Sequence, residues 1–160
     1  MKRRIAVLSG LLGLLFGVGL VHAASDATLQ ASDALTILPP AKVSVQAGYA
    51  TLHNRAADPL TIVGVDSPAF DRADLHETRQ TDGLMHMHPA LPRTLLAGER
   101  LVMSPGGVHV MFRGPRLHLH AGDTVPVFLT LDNGTRVRID LIVKESPRPV
   151  PARGGHDHAH

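Results

Sequence analysis

Eleven histidines and five methionines stand in a chain of 160 residues that has no cysteine. Apart from the initiator, the methionines are Met85, Met87, Met103 and Met111, all in one short stretch and interleaved with histidines. Methionine clusters are ordinarily core filler, because a flexible thioether adapts to irregular gaps. The interleaving argues for another use. In His109-Val110-Met111 on an extended strand, the imidazole and the thioether project to one side while Val110 points to the other. Met85-His86-Met87-His88, if extended, sends two thioethers one way and two imidazoles the other. Leu75-His76-Glu77 can add an imidazole from a third segment.

Two thioethers with imidazoles form a donor set that selects Cu(I) over zinc, magnesium or calcium, because neutral sulfur is a poor ligand for harder ions. Thioethers need no deprotonation, so such a site keeps its metal until its histidines protonate. Zero cysteines exclude a blue-copper electron carrier and a thiol oxidoreductase, and they make a structural zinc site improbable. Ser67 and Ser104 have no evident base and orienting acid beside them, and no paired-carboxylate motif stands out, so no enzyme is expected. His118 and His120 read as two exposed histidines sharing a strand face, with a second metal site as the alternative. A cupin-type enzyme there would want a nearby carboxylate ligand, and only Asp123 is close.

The elements that must position these residues are short. Lys2, Arg3 and Arg4 precede an apolar run from Ile5 to Val21 that closes on Val21-His22-Ala23, the pattern of a signal peptide over residues 1–23 cleaved near Ala23. Interior glycines argue against a membrane anchor. With no cysteine to acylate, the mature product is expected in the periplasm, without stable membrane insertion and as a monomer. The three basic residues leave with the signal, so 16 Lys and Arg drop to 13 against 14 acidic residues. One tyrosine, four phenylalanines, no tryptophan and no clustered basic face exclude nucleic acid as a partner.

Residues 24–40 read as a lead-in segment ending at Pro39-Pro40, and residues 41–145 as one domain. There, short apolar–polar alternation is broken by turn chemistry at Asp58-Pro59, Ser67-Pro68, Pro105-Gly106-Gly107, Gly114-Pro115 and Asn133-Gly134. The clearest element is a hairpin. Val125, Val127, Leu129 and Leu131 alternate with polar or smaller residues, Asp132-Asn133-Gly134 turns, and Val137, Ile139, Leu141 and Val143 return. Such strands without βαβ alternation predict an all-β antiparallel sandwich or barrel. Residues 146–160 are Pro- and His-rich and read as a flexible tail.

His76, ten residues, Met87, twenty-one residues, His109, one residue, Met111 is a spacing that resembles, in full register, the signature of the PCu(A)C periplasmic copper chaperones. Tyr49-Ala50-Thr51-Leu52-His53-Asn54, Leu75-His76-Glu77-Thr78, Asp82-Gly83-Leu84-Met85, the stretch from Pro105 to Met111, and Ala121-Gly122-Asp123 extend the likeness over about residues 35 to 144. The resemblance implies a cupredoxin-like, Greek-key β fold with one surface Cu(I) site made by His76, Met87, His109 and Met111. It also implies transfer towards the binuclear copper centre of cytochrome c oxidase, with a Sco-type copper-transfer protein or the oxidase subunit as partner. Glu77 stands where many members place a methionine, and the early tryptophan of the family is missing.

His86 and His88 read as surface imidazoles, with an auxiliary Cu(II) role as the alternative, and Met85 reads as packing. His156, His158 and His160 read as a mobile antenna for a second, weaker Cu(II), with an incidental solvated terminus as the alternative. Two other functions compete with a one-ion carrier. One is a periplasmic sequestration or resistance protein holding several ions with the tail; the other is a structural β-sandwich whose methionines only pack.

Overall fold

The computed structural model describes residues 28–40 and 43–146. The signal segment, the tail histidines His156, His158 and His160, and residues 41–42 lie outside the described residues. Among the described residues every helix or strand is a strand, as the alternation predicts. They are β1 (Leu29–Ile37), β2 (Val45–Asn54), β3 (Leu60–Asp66), β4 (Phe70–Thr81), β5 (Leu84–Pro89), β6 (Arg93–Leu95), β7 (Arg100–Val102), β8 (Val108–Pro115), β9 (Thr124–Leu131) and β10 (Arg136–Lys144). They join one ten-stranded sheet in the order β5-β4-β8-β2-β1-β10-β9-β3-β6, with β7 pairing β2.

The sheet curls until its two halves face each other across the core. Phe112 of β8 stacks on Phe70 of β4 with ring centroids 4.5 Å apart. Phe112 and Leu141 of β10 both close over Gly48 of β2: a methyl at Gly48 would lie 2.7 Å from the Phe112 ring and 2.9 Å from Leu141. Glycine at this position lets the halves close.

The β9–β10 hairpin forms as read. Val125, Val127, Leu129 and Leu131 are buried against Ile139, Leu141 and Val143, while Arg136, Arg138 and Asp140 face solvent. Its turn has Gly134 at φ 82° and a Gly134 N–H donating to the Leu131 carbonyl, a type I turn followed by a left-handed residue.

Two expectations need revision. The segment 24–40 carries β1, a full strand with Leu29 and Thr36 buried, which pairs with both β2 and β10. The pairing is not purely antiparallel either, since β1 runs parallel to β10 over Leu35–Ile37. The reason is geometric: β1 is antiparallel to β2 and parallel to β10, so its two neighbours run in opposite directions and a strand between them must be parallel to one. Its strand pattern is masked in the sequence because the register breaks at Ser32–Leu35, where Asp33 takes a positive φ of 53°, a bulge that interrupts the period of two.

Candidate metal centre

Three neighbouring strands, β5, β4 and β8, carry the four predicted ligands. β4 and β5 form a hairpin whose two-residue loop is Asp82-Gly83, with φ of 54° and 79°. Positive φ at both positions defines the turn whose twist matches paired strands, which is why Asp-Gly stands there. This turn fixes the register Thr78↔Met87 and His76↔Pro89. On the other side of β4, His76 pairs with His109 and Asp74 with Met111. Residues directly opposite in a ladder project to the same side, as do residues two apart on one strand. His76, Thr78, Met87, His109 and Met111 therefore share one face, the outer one, while Leu75, Val110 and Phe112 fill the core from the reverse face.

The structure brings the two histidines together, with ring centroids 6.2 Å apart. His109 is 7% exposed, and its Nδ1 lies 3.0 Å from the Gly107 carbonyl oxygen. A carbonyl only accepts, so Nδ1 carries the proton and Nε2 keeps a free lone pair. The turn Ser104–Gly107 aims that carbonyl: the Gly107 N–H donates to Ser104 O and the Ser104 N–H to Val108 O, with Gly106 at φ 78°. His76 supplies the second basic nitrogen. Its Nδ1 is buried and has no hydrogen-bond partner, a rare condition that a metal ion relieves. Burial pushes the His76 imidazole below its ordinary value of 6.5; Asp74 opposes this, and His109, Arg113 and Arg72 add to it. The neutral, ligating form is thereby favoured.

The thioethers frame this pair. Met111 follows His109 along β8 and is partly buried, and its sulfur accepts a hydrogen bond from Arg113 Nη2 at 3.3 Å. Met87 sits one strand away on β5, 49% exposed, diagonal to His76 through Thr78, a separation that long side chains span. Tyr49 of β2 closes the flank, its ring 6.5 Å from that of His109; burial raises its hydroxyl above the ordinary value of 10. Asp74, Arg72 and Arg113 add charges on the same face, with Arg72 Nε donating to Asp74 at 2.7 Å. Sequence reasoning gave none of these four a role, although a period of two from His76 and Met111 points at Asp74 and Arg113. Two imidazole nitrogens and two sulfurs on a common face suit a soft monovalent ion.

The remaining candidates fall elsewhere. His86 and His88 pair with Arg79 and Glu77, on the reverse face from Met87. A hydrogen bond from Arg79 holds Glu77 below the usual carboxylate range. Met85 is 59% exposed on the Met87 side, so the packing role expected for it is corrected: β5 runs beyond the edge of the core. Met103 is the methionine that packs, buried beside Leu101 and Val108. His118 and His120 are exposed but follow β8 in a loop rather than sharing a strand face, because β8 ends at Pro115, opposite Phe70 at the start of β4, and the chain bends at Arg116-Leu117. Among the described residues, no group of three or more His, Asp or Glu side chains is arranged to hold an ion. No helix among them is long and apolar enough to cross a membrane.

Comparison with known proteins agrees with this architecture. The family described as LpqE-like putative lipoproteins matches residues 23–143. A putative lipoprotein of Leifsonia xyli subsp. xyli is 30% identical over 100 residues, covering 62% of this chain and 60% of that protein, so the chain spans about three fifths of that relative's length. Among solved structures, the apo PCuAC domain from PmoF1 superposes with a TM-score of 0.61 at 21% identity, covering 74% of this chain and 95% of the domain. The Cu(I) form of DR1885 from Deinococcus radiodurans gives a TM-score of 0.54 at 27% identity, covering 76% of this chain and 83% of that one. The chain belongs to the LpqE-like putative lipoprotein family and has the fold of the PCuAC proteins.

Proposed function

We propose that this protein is an exported Cu(I) carrier, not an enzyme, whose ligands are His76, Met87, His109 and Met111. The observation that carries the reading is the common outer face of these four residues, with the unpartnered buried nitrogen of His76 beside a His109 whose tautomer is fixed by Gly107. Two structural relatives point the same way, since one is a copper-bound PCuAC domain and another a Cu(I)-loaded protein. Copper is cargo here. Met87 stands on an exposed edge strand, where an incoming thiolate can displace a thioether stepwise while the imidazoles still hold the ion. Delivery in the periplasm towards the binuclear copper centre of cytochrome c oxidase, directly or through a Sco-type protein, is the destination that the family resemblance favours.

Anaerobic Cu(I) titration tests the ligand set. The wild-type chain binds one tight equivalent, and Met87→Ala with Met111→Ala weakens it by about 100-fold, as loss of chelating arms requires. Unchanged affinity in that double variant sinks the assignment.

A further inference from the structure

β5 is exposed along its whole length, and its alternation sends different chemistry to its two faces. Met85 and Met87 pair with Gln80 and Thr78, on the side of His76. His86 and His88 pair with Arg79 and Glu77, on the reverse side. There the two imidazole rings stand next to each other, with centroids 6.4 Å apart and an interplanar angle of 34°. No sulfur ligand shares their face along this strand.

We propose that His86 and His88 form a second metal site, separate from the Cu(I) face, in which two imidazoles chelate one Cu(II) ion on the reverse side of β5. Imidazole is a borderline donor that suits Cu(II), and Cu(II) heads the divalent series in affinity for nitrogen sites. The strand holds the two rings at neighbouring positions of one face, so once one has bound, the other meets the ion at a high effective concentration. Both rings are exposed and free to turn inward without disturbing the core. The carboxylate of Glu77, on the same face and opposite His88, favours a cation. Arg79 offsets part of that charge by donating to Glu77 Oε2 at 2.6 Å, and Arg93 stands 4.0 Å from the same oxygen. The ion is thus held by the histidines, with water completing its coordination. Sorting sulfur to one face and imidazole to the other lets a single strand serve both oxidation states of copper. The proposal uses none of the four Cu(I) ligands, so it stands or fails apart from the carrier reading.

The test uses the full chain with His156→Gln, His158→Gln and His160→Gln, which removes the tail imidazoles as competitors, titrated with a Cu(II) salt near neutral pH. One equivalent binds with an electron-paramagnetic signature of two imidazole nitrogens. Amide broadening centres on residues 85–89 and on the facing 77–80. Adding His86→Gln and His88→Gln lowers the affinity by about 100-fold and abolishes that broadening, with the circular dichroism of the sheet unchanged. Adding Met87→Ala and Met111→Ala instead leaves the equivalent in place. Equal Cu(II) affinity with and without His86 and His88, or broadening centred on His76 and His109, overturns the proposal.

Discussion

The β9–β10 hairpin buries Val125, Val127, Leu129 and Leu131 on one strand and Ile139, Leu141 and Val143 on the other, whereas the β4–β5 hairpin leaves every residue of β5 exposed. Both are antiparallel pairs with alternating side chains, and both are closed by glycine-containing turns. In the first, alternation separates core from solvent. In the second it separates thioethers from imidazoles, and neither face of β5 buries much apolar area. The contrast weakens core packing as an explanation for Met85 and Met87, because a thioether left in water gains little from the hydrophobic effect.

The largest expected effect breaks the fold on one side of that contrast and spares it on the other. Leu141→Ala removes a side chain buried in the core and costs about 2–5 kcal/mol of stability by denaturant unfolding. Met87→Ala changes stability by less than about 0.5 kcal/mol, as exposed positions do. A comparable loss from Met87→Ala would mean that β5 belongs to the core after all.

Next in size is the effect of the metal itself. A ligand that binds only the folded chain stabilises it by mass action, by about 2.7 kcal/mol when free Cu(I) exceeds the dissociation constant 100-fold. Thermal unfolding under anaerobic Cu(I) should show this gain in the wild type and in Leu141→Ala alike, and Met87→Ala with Met111→Ala should lose most of it. Removal of the metal with a Cu(I) chelator should return each protein to its apo value.

The same two hairpins show what the sequence makes legible. The β9–β10 pair follows from strict alternation of β-branched and leucine side chains around Asp132-Asn133-Gly134. Within single strands, the shared face of His109 and Met111 also follows from a period of two. Pairing between strands is different: nothing in the spacing from His76 to His109 says that β4 lies beside β8 with these two histidines opposite, since register is fixed by long-range packing. The family pattern supplied that grouping, and the ladder supplies its physical cause. β1 is not legible as a strand because Ala31, Ser32, Asp33 and Ala34 give no apolar alternation around its bulge. His118 and His120 read as strand residues because Leu117-His118-Leu119-His120 alternates, although β8 has already ended at Pro115.

A smaller effect follows from the protonation of His76. Its imidazole titrates below 6.5, first because it is buried, so the folded chain binds this proton less readily than the unfolded one. The sign is that of a depressed group: the stabilising contribution is present above the unfolded value, near 6.5, and is lost as pH falls through the folded value. Cu(I) competes with that same proton, so the share of the affinity that His76 supplies should decline as pH falls through its lowered folded value. Asp74 is the charge that pulls the other way, so Asp74→Asn should move the His76 titration, followed by NMR, further down. An upward movement would show that the Arg72–Asp74 pair shields the imidazole instead.

The smallest effect sits on the sulfur that the structure leaves engaged. Arg113 Nη2 donates to Met111 Sδ at 3.3 Å, so copper must displace a hydrogen bond and approach a fixed positive charge before Met111 can ligate. Both terms oppose binding of a cation, and both leave with Arg113→Gln. A hydrogen bond of this kind is worth about 0.5–1.5 kcal/mol net at most, and exposure screens the charge. Cu(I) affinity, measured by competition with a chromophoric chelator, should therefore rise by about 2- to 12-fold. The same substitution on the β9–β10 hairpin, Arg138→Gln, removes an exposed arginine paired to Asp140 at 2.9 Å and should leave Cu(I) affinity unchanged. If Arg113→Gln weakens binding instead, the guanidinium holds Met111 in its ligating rotamer, and the arginine belongs to the site as a positioning residue.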